Sequence, residues 1–262
     1  MALLSYRLYT LSNRPTLILL HGFLGSQMDW LEFIPSLNKH FSILAFDLPG
    51  HGSSINLNKR QYNFRDCAQE IVGVIRQQRT NHCFLLGYSL GGRLSLYLAL
   101  TFPKMFQKLI LESASPGLLM RSRRQQRIRT DRQWIKILKT QGLRYFLKKW
   151  YRQPIFDSVQ KNYRRLRTLI NTRMKNKPQE LIYSLRGMGL GAQPSLWHHL
   201  KRLSIPTLCI TGGLDQKIQT LAQVMAQHSP RIQVTILPDS GHNIHFENPK
   251  IFLQKIIPFL TQ

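Results

Sequence analysis

Short apolar runs alternate with stretches of helical spacing from the amino terminus to about residue 112, stop, and resume after residue 206. Leu17–Leu20, Ser42–Phe46, Cys83–Leu86 and Lys108–Leu111 read as buried strands bounded by turn residues. Asp29–Leu37, Tyr62–Gln78 and Leu90–Phe102 carry helical patterns between them. Alternation of this kind implies right-handed crossovers and a mostly parallel, doubly wound sheet covered on both faces. Ser5–Leu11 is expected as an antiparallel edge strand. The pattern returns in the strands Thr207–Thr211 and Gln233–Leu237, with helices at Thr220–His228 and Pro249–Leu260. The intervening stretch is polar, basic and helical in pattern. Because strands resume after it, it reads as a cap inserted into one sheet, giving a core at 1–114 and 204–262 and a cap at 115–203.

The elements place one short segment in a telling context. Gly87-Tyr88-Ser89-Leu90-Gly91-Gly92 follows an apolar strand and opens a helix, the setting in which G-x-S-x-G becomes a nucleophile elbow. So tight a turn needs small neighbours, and Gly87 and Gly91 supply them. The turn would lift the Ser89 hydroxyl toward a helix amino terminus, where backbone N–H groups favour negative charge. His21-Gly22-Phe23 ends the first parallel strand, so the Phe23 and Leu90 amides are candidates for an oxyanion hole. Asp215 and His242 each follow a later strand, in the chain order Ser…Asp…His of α/β-hydrolases. Taken singly, Asp215 reads as a helix cap and His242 as a surface histidine, with His245 as a rival. His21 reads as a brace for the oxyanion loop.

Charge adds a second constraint. The formal net charge is +25, and residues 121–177 hold 19 of the 37 Lys and Arg against two acids, Asp131 and Asp157. That concentration points to an anionic partner met by the cap. The three cysteines have no metal-ligand or disulfide spacing, which argues for a reducing compartment. No apolar run approaches the roughly 20 residues of a membrane span, and the MALLSYRLYT start lacks a signal-peptide pattern. These features lead us to expect a soluble cytoplasmic monomer with no metal and no cofactor. No RNP-like, zinc or phosphate-loop motif supports nucleic-acid binding.

Longer stretches narrow the resemblance. LHGFLGS at 20–26 with Asp29-Trp30, DLPGHG at 47–52, GYSLGGR at 87–93, ESASPGL at 112–118, DRQW at 131–134, Trp150-Tyr151 before QPIF at 153–156, and GHNIHFENP at 241–249 occur in this one chain. This set resembles the 2-succinyl-6-hydroxy-2,4-cyclohexadiene-1-carboxylate synthases of menaquinone and phylloquinone synthesis, through nearly the whole chain. The resemblance implies a carbon–oxygen lyase of α/β-hydrolase fold that expels pyruvate from a tricarboxylate. It implies Ser89, Asp215 and His242 as the triad, and Arg93, Arg127, Arg173, Tyr88 and Trp150 as substrate-binding residues. Arg127 and Arg173 stand among other arginines, such as Arg124 and Arg167, so their register is the least specific part of the match. The cap is far more basic than a tricarboxylate requires. Two alternatives stay open from the residues alone: a serine hydrolase of esters, thioesters or carbon–carbon bonds, and a basic nucleic-acid-binding module.

Overall fold

A computed structural model describes residues 4–11, 13–78, 80 and 82–262; Met1, Ala2 and Leu3 of the amino-terminal reading lie outside the described residues. Seven strands are β1 Tyr6–Tyr9, β2 Thr16–Leu20, β3 Ser42–Phe46, β4 Cys83–Tyr88, β5 Phe106–Glu112, β6 Thr207–Gly212 and β7 Ile232–Leu237. They form one sheet in the order β1-β3-β2-β4-β5-β6-β7. Among the described strands only β1 runs antiparallel, Tyr6 facing Phe46 on β3. The helices are α1 Ile34–Leu37, α2 Phe64–Gln77, α3 Leu90–Thr101, α4 Arg121–Trp150, α5 Asp157–Gln160, α6 Tyr163–Arg173, α7 Pro178–Met188, α8 Gln216–His228, α9 Ile244–Glu247 and α10 Pro249–Thr261.

The period-2 pleat sorts the strand residues onto two cores. Ile18, Leu20, Leu44, Phe46 and Leu85 pack on one face with α2, α3 and α8, whereas Leu17, Leu19, Ile43, Phe84 and Leu86 pack on the other with Trp30, Phe33 and α10. α2 illustrates how the sequence specifies such a helix. Phe64, Cys67, Ala68, Ile71, Val72 and Ile75 recur on one buried stripe, and Asn63 caps the start by accepting from the Asp66 amide at 2.9 Å.

α4 to α7 all lie between β5 and β6, so the helical cap is inserted within the sheet's connectivity. It has a core of its own, in which Leu138, Phe146, Leu147, Trp150, Leu169 and Leu181 bury together with Leu24 from the loop after β2. α4 breaks at Gly142, whose φ of 74° and ψ of 171° lie outside helical space and suit glycine. The stretch expected as one helix from Asp29 to Leu37 differs in kind: Gln27–Phe33 is a 3-10 helix, and α1 adds a single α turn. Pro35 near the start of α1 supplies no amide hydrogen, so one continuous ladder cannot run across it. Among the described residues no helix is long and apolar enough to cross a membrane, and no group of three His, Cys, Asp or Glu side chains is placed to hold a metal ion. Cys67, Cys83 and Cys209 are all buried and free.

Candidate active site

Ser89 sits at the junction of central strand β4 and α3 with φ 49° and ψ −104°, a conformation that L side chains rarely adopt. The junction is held from both sides, since the Ser89 amide donates to the Glu112 carbonyl at 2.8 Å and the Arg93 amide donates to the Ser89 carbonyl at 2.9 Å. Its glycines are sterically required. A Cβ on Gly87 would lie 2.4 Å from the Gly91 backbone, and one on Gly91 would lie 2.1 Å from the Leu20 carbonyl oxygen.

β6 and β7 deliver the two partners. His242 Nε2 lies 3.1 Å from Ser89 Oγ, and His242 Nδ1 lies 2.7 Å from Asp215 Oδ2. Asp215 Oδ1 accepts from the Ile218 amide at 3.2 Å and so caps α8, while its Oδ2 faces the imidazole. The rival His245 is excluded by placement. Its Nδ1 lies 2.7 Å from Glu112 Oε2, and its ring packs against Tyr88 and Trp30.

The Phe23 and Leu90 amides flank the elbow, and among the described residues neither donates to a protein acceptor. The loop carrying Phe23 is braced by two buried imidazoles. His21 Nε2 accepts from the Leu48 amide at 2.9 Å, and His51 Nε2 accepts from the Leu24 amide at 3.0 Å. Burial lowers the pKa of both, and for His51 the neighbouring His21 adds to the effect, taking it to about 3. Both rings are therefore neutral near pH 7, as their acceptor roles require.

Each of the remaining predicted residues is held by neighbours of its own. Arg93, one turn along α3, donates from Nη1 to Gln193 Oε1 at 3.0 Å and lies over the Phe64 ring at 5.7 Å. Burial, and then the Arg127 charge, lower its pKa, with Asp131 opposing. It has no carboxylate partner among the described residues. Arg127 is paired instead, its Nε 2.8 Å from Asp131 Oδ1. Arg173 is buried with both terminal nitrogens on Asp29, leaving its Nε without a partner. Burial alone would raise the Asp29 pKa, but the Arg173 charge and hydrogen bonds outweigh it and the net shift is downward. Tyr88 packs against His242 with ring centroids 5.7 Å apart, and burial raises its phenol well above the usual range. Trp150 packs on Phe23 at 5.0 Å, and Phe156 meets the His242 ring edge-on at 5.9 Å. The sequence reading gave no role to Gln193, nor to Phe156 and Glu112, although these two lie in the stretches that carry the resemblance. Their roles arise from contacts across 86 to 133 positions, and no local spacing signals them.

An α/β-hydrolase-fold family model matches residues 15–249. A putative 2-succinyl-6-hydroxy-2,4-cyclohexadiene-1-carboxylate synthase of Bacillus subtilis is 33% identical over 246 residues, covering 93% of this chain and 89% of the relative. The enzyme of that name from Pectobacterium atrosepticum is 34% identical over 253 residues, covering 95% and 94%. The chain belongs to the 2-succinyl-6-hydroxy-2,4-cyclohexadiene-1-carboxylate synthase family. Its fold agrees, because the solved structure of MenH from S. aureus superposes with a TM-score of 0.93 at 29% identity, covering 98% of this chain and 97% of that one. An enol-lactonase from Burkholderia xenovorans, at 19% identity and TM-score 0.83, shares the synthase family's fold alone.

Proposed function

We propose that this chain eliminates pyruvate from 2-succinyl-5-enolpyruvyl-6-hydroxy-3-cyclohexene-1-carboxylate, giving 2-succinyl-6-hydroxy-2,4-cyclohexadiene-1-carboxylate for menaquinone or phylloquinone synthesis. The ring proton beside the succinyl ketone is acidified by that carbonyl. Removing it sends the electron pair through the ring alkene and breaks the carbon–oxygen bond to the enolpyruvyl group, which leaves and tautomerises to pyruvate.

In this reading Ser89 Oγ takes the ring proton as its own proton passes to His242 Nε2, 3.1 Å away. Asp215 at 2.7 Å holds the Nδ1–H tautomer and stabilises the imidazolium. The unengaged Phe23 and Leu90 amides would receive negative charge developing on the ketone oxygen. Arg93, Arg127 and Arg173 would share the three carboxylates, with Tyr88 and Trp150 forming apolar walls. The division of labour follows the expected domain limits: residues 1–114 and 204–262 carry the triad and oxyanion amides, and the cap at 115–203 brings two of the arginines.

The observation that carries a lyase over a hydrolase is Arg93. It is a desolvated cation one turn from Ser89 whose recorded side-chain partner is a neutral amide. A lipid esterase has no use for it, whereas a polycarboxylate completes its pairing. The test is pyruvate release from the substrate, generated in situ, with Ser89→Ala beside the wild type. Fast release that disappears in the variant is expected. Release no faster than the spontaneous rate would overturn the lyase reading and turn attention to ester and thioester substrates.

A further inference from the structure

The cap's charge is not spread evenly, and one part of it is concave. After the break at Gly142, Arg144 and Lys148 fall four residues apart on α4, and Arg152 follows just past its end. Across from them α6 presents Tyr163, Leu166, Arg167 and Ile170, the spacing of a single helix face. These residues, with Tyr151 at the floor, line a groove of about 440 Å³, within the range of roughly 300–1,000 Å³ usual for small-molecule sites.

Four cations line this groove, and no Asp or Glu does. Among the described residues Arg144, Lys148, Arg152 and Arg167 have no ion pair and no side-chain hydrogen bond. The cap's three acids are engaged elsewhere, Asp131 with Arg127, Asp157 with Gln160 Nε2 at 2.9 Å and Glu180 with the Tyr62 hydroxyl. Gathering like charges at helical spacing costs a few tenths of a kcal/mol per pair on a bare helix, a cost that an anion seated between them would reverse. The apolar side of the groove is also laid open: Tyr163 is 72% exposed. Three cations on the α4 side, with Arg167 beside an uncovered ring and two aliphatic side chains on α6, suit an amphiphilic anion.

We infer that the groove between α4 and α6 is a binding site for a phosphate monoester carried on an apolar body. Arg144, Lys148, Arg152 and Arg167 take the phosphate, and Tyr163, Leu166 and Ile170 take the body. This site lies outside the triad and does not depend on the lyase reading. The phosphate can be free in solution or belong to a lipid headgroup, and the two sources are separable by experiment.

The probes are 1-naphthyl phosphate by titration calorimetry and phosphatidylcholine vesicles containing phosphatidic acid by co-sedimentation. A fourfold variant, Arg144→Ala, Lys148→Ala, Arg152→Ala and Arg167→Ala, is compared with a control that removes the same charge elsewhere on α4: Arg121→Ala, Arg123→Ala, Arg129→Ala and Lys139→Ala. All eight side chains are exposed, so both variants should keep the wild-type unfolding midpoint. The groove variant should lose about tenfold or more in affinity, equivalent to roughly 1.4 kcal/mol, while the control stays within about twofold. Loss of naphthyl phosphate binding assigns a free ligand, and loss confined to vesicles assigns a lipid headgroup. Equal loss in both variants would mean diffuse attraction to a basic surface, and unchanged binding in the groove variant would mean an empty groove. Either result overturns the site.

Discussion

Arg173 closes a two-point ion pair on Asp29, Nη1 to Oδ1 at 2.5 Å and Nη2 to Oδ2 at 2.8 Å, joining the cap helix α6 to the 3-10 segment after β2. Both side chains are largely buried, at 8% and 13% exposure. Removing one partner would strand the other charge, at a cost of about 3–5 kcal/mol. We expect Arg173→Met to lower stability to urea by that order, and the paired change Asp29→Leu with Arg173→Met to recover most of it. The acid side follows from the lowered Asp29 pKa: the pair's contribution is complete above the ordinary carboxylate range and is lost as pH falls through the lowered folded value. An Arg173→Met protein of unchanged stability, with only a raised KM, would reduce Arg173 to a pure substrate contact.

Ser89 stores strain at the elbow. A side chain at φ 49° and ψ −104° costs on the order of 1–3 kcal/mol that glycine would not incur. Ser89→Gly is therefore expected to stabilise the fold by about 1 kcal/mol in thermal or denaturant unfolding while abolishing turnover. A destabilised Ser89→Gly protein would mean that the hydroxyl's contact with His242 contributes more to folding than the turn costs.

The strands and the proposed triad are legible because each depends on local pattern. β2 to β7 are recognisable as apolar runs of strand length, and Ser89, Asp215 and His242 each follow one of them in the expected order. Positions whose meaning lies in distant partners were not legible. Arg173 looks like one arginine among several until Asp29, 144 positions away, is beside it. His245 looks as suitable as His242 until Glu112 is seen to occupy it. Asp29–Leu37 reads as one helix because apolar periodicity does not separate a 3-10 turn from an α turn.

Arg93 and Gln193 separate substrate chemistry from scaffold. Arg93→Met should lower kcat/KM for pyruvate release about 30-fold to 150-fold, the equivalent of the roughly 2–3 kcal/mol of a charge-assisted hydrogen bond. A simple ester, turned over slowly if at all, should be indifferent to the change. Gln193 Nε2 also donates to the Ser115 carbonyl at 3.1 Å, which fixes the amide that receives Arg93. Gln193→Leu should accordingly raise KM more than it lowers kcat. Full activity in Arg93→Met would argue against a polycarboxylate at this face of α3.

His51 sets an acid limit on the oxyanion loop. Its Nε2 accepts the Leu24 amide, a role open only to the neutral ring, and burial followed by His21 brings its pKa to about 3. In the unfolded chain the same imidazole titrates near an ordinary value of about 6.5. Between those values the unfolded state binds more protons, so stability rises with pH across the interval and is lost on acidification. The full contribution is about 5 kcal/mol, of which about 2 kcal/mol falls between pH 6.5 and pH 4.5. His51→Gln keeps an acceptor for Leu24 but cannot titrate. It should be less stable than wild type at pH 7, where packing around the smaller side chain is imperfect, yet lose about 2 kcal/mol less on moving from pH 6.5 to pH 4.5. Parallel stability curves for the two proteins over that range would show that the loop tolerates a protonated His51.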